Sequence, residues 1–125
     1  MVITPQYYQH LYALQHSGES VQDATGAWVT HPSVWRYVGV CREETNGKGS
    51  TIATQDGSVV SFASTIYMPV MAEKVDEGTD VIVLRNQHDS ITRNDIEAWK
   101  RTGECVAEGK VMKCDNGRLH TRIWI

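Results

Sequence analysis

Gly117-Arg-Leu-His-Thr-Arg-Ile-Trp-Ile125 alternates with a period of two: Leu119, Thr121, Ile123 and Ile125 share one face, and His120, Arg122 and Trp124 the other. Successive side chains of a strand point to opposite sides, so this alternation specifies a β-strand with one apolar, core-seeking face. Its second face carries side chains of the kind that recognise partners. Asp115-Asn-Gly117 just before it accepts the positive φ of a tight hairpin, which makes residues 106–114 the antiparallel partner.

Working back along the chain, the same grammar repeats. Asp23-Ala-Thr-Gly26, Asn46-Gly47, Asp56-Gly57 and Glu77-Gly78 punctuate short β-branched or alternating runs. Residues 7–14 read as a strand rather than a short helix, because the turn-rich residues 18–26 follow. Residues 27–30 and 34–41 are further strands, with Pro32 at a break between them. Beyond Arg42, the polar residues 43–50 have the profile of an exposed loop. A short strand at 50–54 turns at Asp56-Gly57 into the longest expected strand, residues 58–68, with Val60, Phe62, Ser64, Ile66 and Met68 toward the core and Pro69 at its end. Residues 79–84 form a strand buried at one end. Residues 94–101 form the one helix, with Asn94 and Glu97 in capping-box spacing and Gly103 as its stop. Short antiparallel segments without β-α-β alternation predict an all-β fold, a small antiparallel β-barrel with one short helix, forming a single domain over residues 1–125.

Composition narrows the function classes. At 125 residues the chain buries enough surface to be stable without staples, and 41% hydrophobic with 22% charged residues excludes a disordered or low-complexity class. The formal charge of -3 argues against a polybasic wrapper of nucleic acid. The first residues lack the basic and apolar regions of a secretory signal, and no apolar run approaches a membrane span. The expectation is a protein made and kept inside the cell, without a membrane partner. Cys41, Cys105 and Cys114 are odd in number and form no CxxC pair, so they read as reduced thiols.

Motifs for chemistry are sparse. Gly47-Lys-Gly-Ser-Thr51 resembles a phosphate loop superficially, but Arg42 and Gly49 occupy positions that require Gly and Ser or Thr. His10, His16, His31, His88 and His120 fall in no metal-ligand spacing, although Cys105, Cys114 and His120 would approach one another across the final hairpin. Asp76-Glu-Gly-Thr-Asp80 is too short for a calcium loop. No nucleophile elbow or Cys-His arrangement stands out, and the reading is non-enzymatic, with no cofactor, no metal and no catalytic residue.

Charge and aromatic placement say more. Residues 43–97 carry a net charge of -6 and residues 98–125 a net charge of +3, an opposition that suits contacts between adjacent subunits. Tyr7, Tyr8, Tyr12, Trp28, Trp35, Tyr37, Trp99 and Trp124 serve either as core and interface anchors or as stacking platforms. If they stack bases, the basic face is Lys110, Lys113, Arg118 and Arg122, and the chain is an OB-like single-stranded nucleic-acid module. The candidate interface or gate residues are Glu43, Glu44, Lys48, Trp99 and Arg101, within the inferred exposed segments 43–50 and 85–104.

Residues 18–28, Trp35-Arg-Tyr-Val-Gly-Val-Cys-Arg42, the Asp56-Gly57 hairpin, Glu77-Gly-Thr-Asp-Val81 and the closing residues 109–125 together resemble the head-tail joining proteins of tailed phages and prophages. The likeness spans most of the chain through generic motifs. It implies a β-barrel head-closure or adaptor subunit, made in the bacterial cytoplasm and seated at the virion head-tail junction. There it would join a ring homo-oligomer around the DNA passage, with portal, adaptor or tail components as partners. The role needs shape and subunit contacts rather than catalysis, and no tight nucleic-acid binding is expected of the isolated chain. The acidic middle and the helix depart from the family pattern.

Overall fold

The computed structural model describes residues 7–15, 21–22, 24–29, 34–46, 51–53, 57, 59–61, 63–70 and 75–125. Among the described residues, eleven strands and one helix follow in chain order: β1 (Gln9–Gln15), β2 (Val21–Gln22), β3 (Trp28–Val29), β4 (Val34–Thr45), β5 (Thr51–Ala53), β6 (Val59–Ser61), β7 (Ser64–Met68), β8 (Asp80–Leu84), α1 (Arg93–Thr102), β9 (Cys105–Lys110), β10 (Lys113–Asn116) and β11 (Thr121–Trp124). Seven strands pair in the order β10-β11-β7-β4-β1-β8-β9, while β2-β3 and β5-β6 are separate two-stranded ribbons. All pairings are antiparallel.

The expected barrel is not what forms. The large sheet is open, with β10 and β9 as its edges and no ladder between them. Strand count and turn grammar cannot distinguish a closed from an open sheet, because both bury the same alternating faces. The edges nonetheless lie close together. Only Val111 and Met112 separate β9 from β10, a span of at most roughly 11 Å. A flat seven-stranded sheet would hold its edges roughly 29 Å apart, so this one curls. At the corner, the Val111 amide donates to the Thr79 carbonyl (2.9 Å) and the Met112 amide to the Trp124 carbonyl (2.7 Å), tying one residue to each half of the sheet.

β4 is the strand common to both halves. Its first part pairs with β1 through Cys41, and its last four residues, Arg42 to Thr45, pair with β7. A bulge between Leu11 and Tyr12 leaves Val38 as the extra residue, and the chain re-aims beside Gly39. A Cβ at Gly39 would stand 3.3 Å from Met68 Cε and press on the methionine end, and the φ of 157° there is one that other residues rarely adopt. The halves close over one apolar cluster: Leu11, Ala13, Val81 and Val83 from one, Ile66, Met68, Ile123 and Ile125 from the other, with Cys41, Val75 and Val111 between them.

The opposite face of the β1-β8-β9 half is covered by α1. Ile96 is fully buried against Tyr12, Ile82, Leu84 and Cys105, with Trp35, Tyr37, Ile91 and Trp99 around them. The helix is capped two residues earlier than the sequence suggested. Thr92, not Asn94, is the N-cap: its Oγ1 accepts from the Asp95 amide (3.1 Å) and its own amide donates to the Asp95 carboxylate (3.0 Å). Gly103, at φ 86°, adopts the left-handed conformation that ends it, as expected.

Several boundaries also shift. The expected strand 58–68 divides into β6 and β7, with Ser64, Ile66 and Met68 inward as expected; Phe62 lies outside the described residues, as does the Val60 side chain. Asp115 and Asn116 belong to β10, so the hairpin turn is 117–120, closed by the Gly117 amide on the His120 carbonyl at 3.0 Å. Leu119 therefore sits in the turn, 85% exposed, and not on the core face with Ile123 and Ile125. No helix among the described residues is long and apolar enough to cross a membrane.

Candidate functional site

β11 carries its two faces as the alternation requires: Thr121 and Ile123 are fully buried, while Arg122 and Trp124 lie half-buried on the outer side. Register places their neighbours. Arg42 on β4, Tyr67 on β7, Arg122 on β11 and Asp115 on β10 form one row across four strands. One step along, Glu44, Thr65, Trp124 and Lys113 form the next. Because this face is left uncovered by α1, its long cationic and aromatic side chains pack on one another.

The Arg42 guanidinium carbon stands 4.9 Å from the centre of the Tyr67 ring, and the His120 ring meets the same tyrosine edge-on at 5.5 Å. Around Trp124, the Lys113 ammonium lies at 5.7 Å and the Arg122 guanidinium at 5.4 Å. These are cation–π distances, worth about 0.5–1 kcal/mol each where solvent reaches them. Arg122 also pairs with Asp115 at 2.9 Å. Beside these residues the 117–120 turn opens a cavity of about 280 Å³ lined by Gly117, Arg118, Leu119, His120 and Arg122. Among the described residues, the buried Arg42 Nε has no hydrogen-bond acceptor.

A second polar cluster braces the α1 end. Glu104 accepts from the Asn86 amide (2.8 Å), the Asn86 side-chain nitrogen (3.0 Å) and His88 Nε2 (2.9 Å). The His88 ring lies 4.1 Å from Trp99, and the Tyr12 hydroxyl accepts from the His88 amide at 2.9 Å. Burial alone would raise the Glu104 pKa, but the His88 and Asn86 hydrogen bonds outweigh it and hold the carboxyl below its ordinary range. A cavity of about 200 Å³ lies alongside, lined by Val34, Trp35, His88, Asp89, Ser90 and Ile91. The geometry is that of a clasp fixing the 86–88 loop to α1, β1 and β9. Glu108 forms a similar tie, accepting from Arg93 at 2.8 Å and from Lys100, and these bonds outweigh its burial to lower its pKa.

Comparison with protein-family models, with curated proteins and with solved structures finds no match.

Of the residues singled out from sequence, Lys113 and Arg122 meet at Trp124, with Arg118 exposed at the neighbouring turn. Lys110 leaves the group: it pairs with Asp80 at 3.1 Å, so part of the charge opposition between middle and end is satisfied within the chain. Glu43 is not in an exposed loop. β4 runs on through Thr45, and the Glu43 carboxylate accepts from Ser64 and Thr45 hydroxyls while its amide donates to Gln9 Oε1. Glu44 is exposed on the outer face beside Arg42, and Lys48 lies outside the described residues. Trp99 turns inward against His88, and Arg101 is exposed on the last turn of α1. Cys105 packs under α1 and Cys114 against the other core, so they sit on opposite faces and cannot share a zinc ion with His120. Among the described residues no group of three His, Cys, Asp or Glu is placed to hold a metal.

Arg42 and Tyr67 were not singled out from the sequence as site residues, and His88 and Glu104 entered as site candidates only as part of the segment 85–104. The outward position of Tyr67 was readable from its alternation with Ile66 and Met68. Its pairing with Arg42 was not, because it depends on β4 extending past Cys41.

Proposed function

We propose that this protein is a non-catalytic structural subunit of a tailed-phage or prophage particle, joining head to tail in a ring around the DNA passage. It docks on portal, adaptor or tail components through the outer face of β4, β7, β11 and β10. The observation that carries the docking reading is the strip of Arg42, Tyr67, Arg122, Trp124 and Lys113 on a sheet face that α1 does not cover. Arginine and large aromatic rings are enriched where interfaces hold their binding energy. The phage assignment rests on the sequence resemblance.

Single-stranded nucleic-acid binding is the competing reading, and the two cations beside Trp124 are its support. It asks for several rings free to stack. Trp99 instead faces His88, and both Tyr67 and Trp124 have cationic groups against them. Co-expression with the structural proteins encoded beside it, followed by electron microscopy, should place the chain stoichiometrically at the head-tail junction. Consistent location elsewhere in the particle rejects the joining role. Saturable nanomolar binding of single-stranded DNA at physiological salt, lost when Lys113 and Arg122 are changed in a folded variant, favours the nucleic-acid reading instead.

A further inference from the structure

The outer face has an imbalance that its own residues do not resolve. Among the described residues, Arg42, Arg118, Arg122 and Lys113 contribute cations around Tyr67 and Trp124, against the carboxylates of Asp115 and Glu44. Arg122 is paired with Asp115. Arg42 instead lies over the Tyr67 ring, with its Nε buried and without an acceptor. A buried donor left unpaired costs about 1–3 kcal/mol, but solvent does not reach the Arg42 Nε and Arg42 does not line the cavity, so it is the cations at the turn that face an incoming acceptor. His120, edge-on to the same tyrosine, lines the cavity with Arg118 and Arg122. A concave opening thus lies beside a ring flanked by guanidinium groups, and Leu119, 85% exposed, stands at its rim.

We propose that this opening is an oxyanion-binding site that receives a carboxylate side chain from an acidic segment of a partner protein. The inference rests on reading this face as a docking surface and names the chemistry of what docks. Guanidinium groups match a planar carboxylate with paired hydrogen bonds. Leu119 gives the same segment an apolar contact, which a phosphodiester chain would not use. Arg118, His120 and Arg122 line the opening, so these are the donors that an entering acid meets.

The test is a nuclear magnetic resonance titration of the whole chain with a short oligoglutamate peptide, with inorganic phosphate and with oligothymidine, following the arginine Nε–H signals and the 117–122 amides. Saturable shifts at Arg118, Arg122 and the turn are expected with the peptide. Binding should weaken at least roughly tenfold, or 1.4 kcal/mol, in Arg122→Gln and Arg118→Gln, whose exposed or half-exposed positions leave the core intact. Leu119→Ser should weaken the peptide but not phosphate. Oligothymidine binding more tightly than the peptide would overturn the assignment to a protein acid. Absence of saturation with any probe, or equal binding by both arginine variants and the wild type, would overturn the site itself. Neither negative result touches the joining role, which is decided by location in the particle.

Discussion

Replacing Glu104 removes one carboxylate on which a whole loop depends. In Glu104→Ala the Asn86 amide, the Asn86 side chain and the His88 ring each lose their acceptor. Hydrogen bonds to a charged group are worth about 1.5–3 kcal/mol each when the abandoned donor stays dry. Here the side chains of His88 and Glu104 keep 26% and 16% of their exposure, so water rehydrates part of what is lost. The expected cost is about 2 kcal/mol in total rather than the sum, which moves the urea midpoint down by roughly 1 M at unchanged slope. Glu104→Gln keeps an acceptor but not the charge, and should cost about 1 kcal/mol. The pH dependence adds a sign. Burial works to raise this carboxyl and the His88 and Asn86 bonds outweigh it, so its folded pKa lies below the ordinary 4.5. A depressed folded pKa contributes stability that is complete above the unfolded value and disappears as pH falls through the folded one. Wild type should therefore lose stability below about pH 4.5 more steeply than Glu104→Gln. A midpoint for Glu104→Ala equal to wild type near neutrality, or parallel acid limbs for wild type and Glu104→Gln, would refute the clasp.

Burial, aided by the Glu43 charge, pushes the Cys41 thiol up to about 12, and burial also raises Cys105. In native protein near neutral pH a thiol reagent should modify Cys114 first, with Cys41 reacting only on the timescale of unfolding; prompt labelling of Cys41, read by mass spectrometry, would contradict its place in the core. Ile123→Ala, which removes a fully buried side chain, should cost about 2–5 kcal/mol in equilibrium unfolding, whereas Leu119→Ala at the exposed turn should stay within about 0.5 kcal/mol. Similar costs for the two would return Leu119 to the core.

Legibility from sequence followed the range of the forces involved. The alternation of β11 and of Ser64 to Met68 marked the inward faces correctly, because a slip of one residue would turn a whole apolar set to water. Leu119 broke the pattern only because the turn begins at Gly117, after Asp115 and Asn116 have been taken into β10. Gly103 was legible as a stop, but Thr92 outcompeted Asn94 as the cap, since its hydroxyl and the Asp95 carboxylate satisfy each other's amides reciprocally. That the sheet stays open was not legible at all. It depends on where β9 bends into β10, and Val111 and Met112 carry no local signature of a corner. The Tyr67 face was half legible: the outward residues of β11 were read correctly, while Arg42 was hidden by placing the strand's end before Glu43.

The extension of β4 through Thr45 is the step that links architecture to the docking face. Had the strand ended at Cys41, Arg42 would stand in a loop with its side chain free to hydrate. Continued into the β7 ladder, Arg42 is held opposite Tyr67, and its neighbour Glu43 turns to the other side to accept from Ser64. The next strand over, β11, holds Arg122 in the same row, and the inward residues beside that row, Ile66 of β7 and Ile123 of β11, are fully buried. Side chains on the outer face can therefore be spaced by a rigid core without contributing to it. That separation explains how a face can carry more cations than it neutralises: the repulsion among exposed groups is small in water, and the core that positions them does not depend on their pairing.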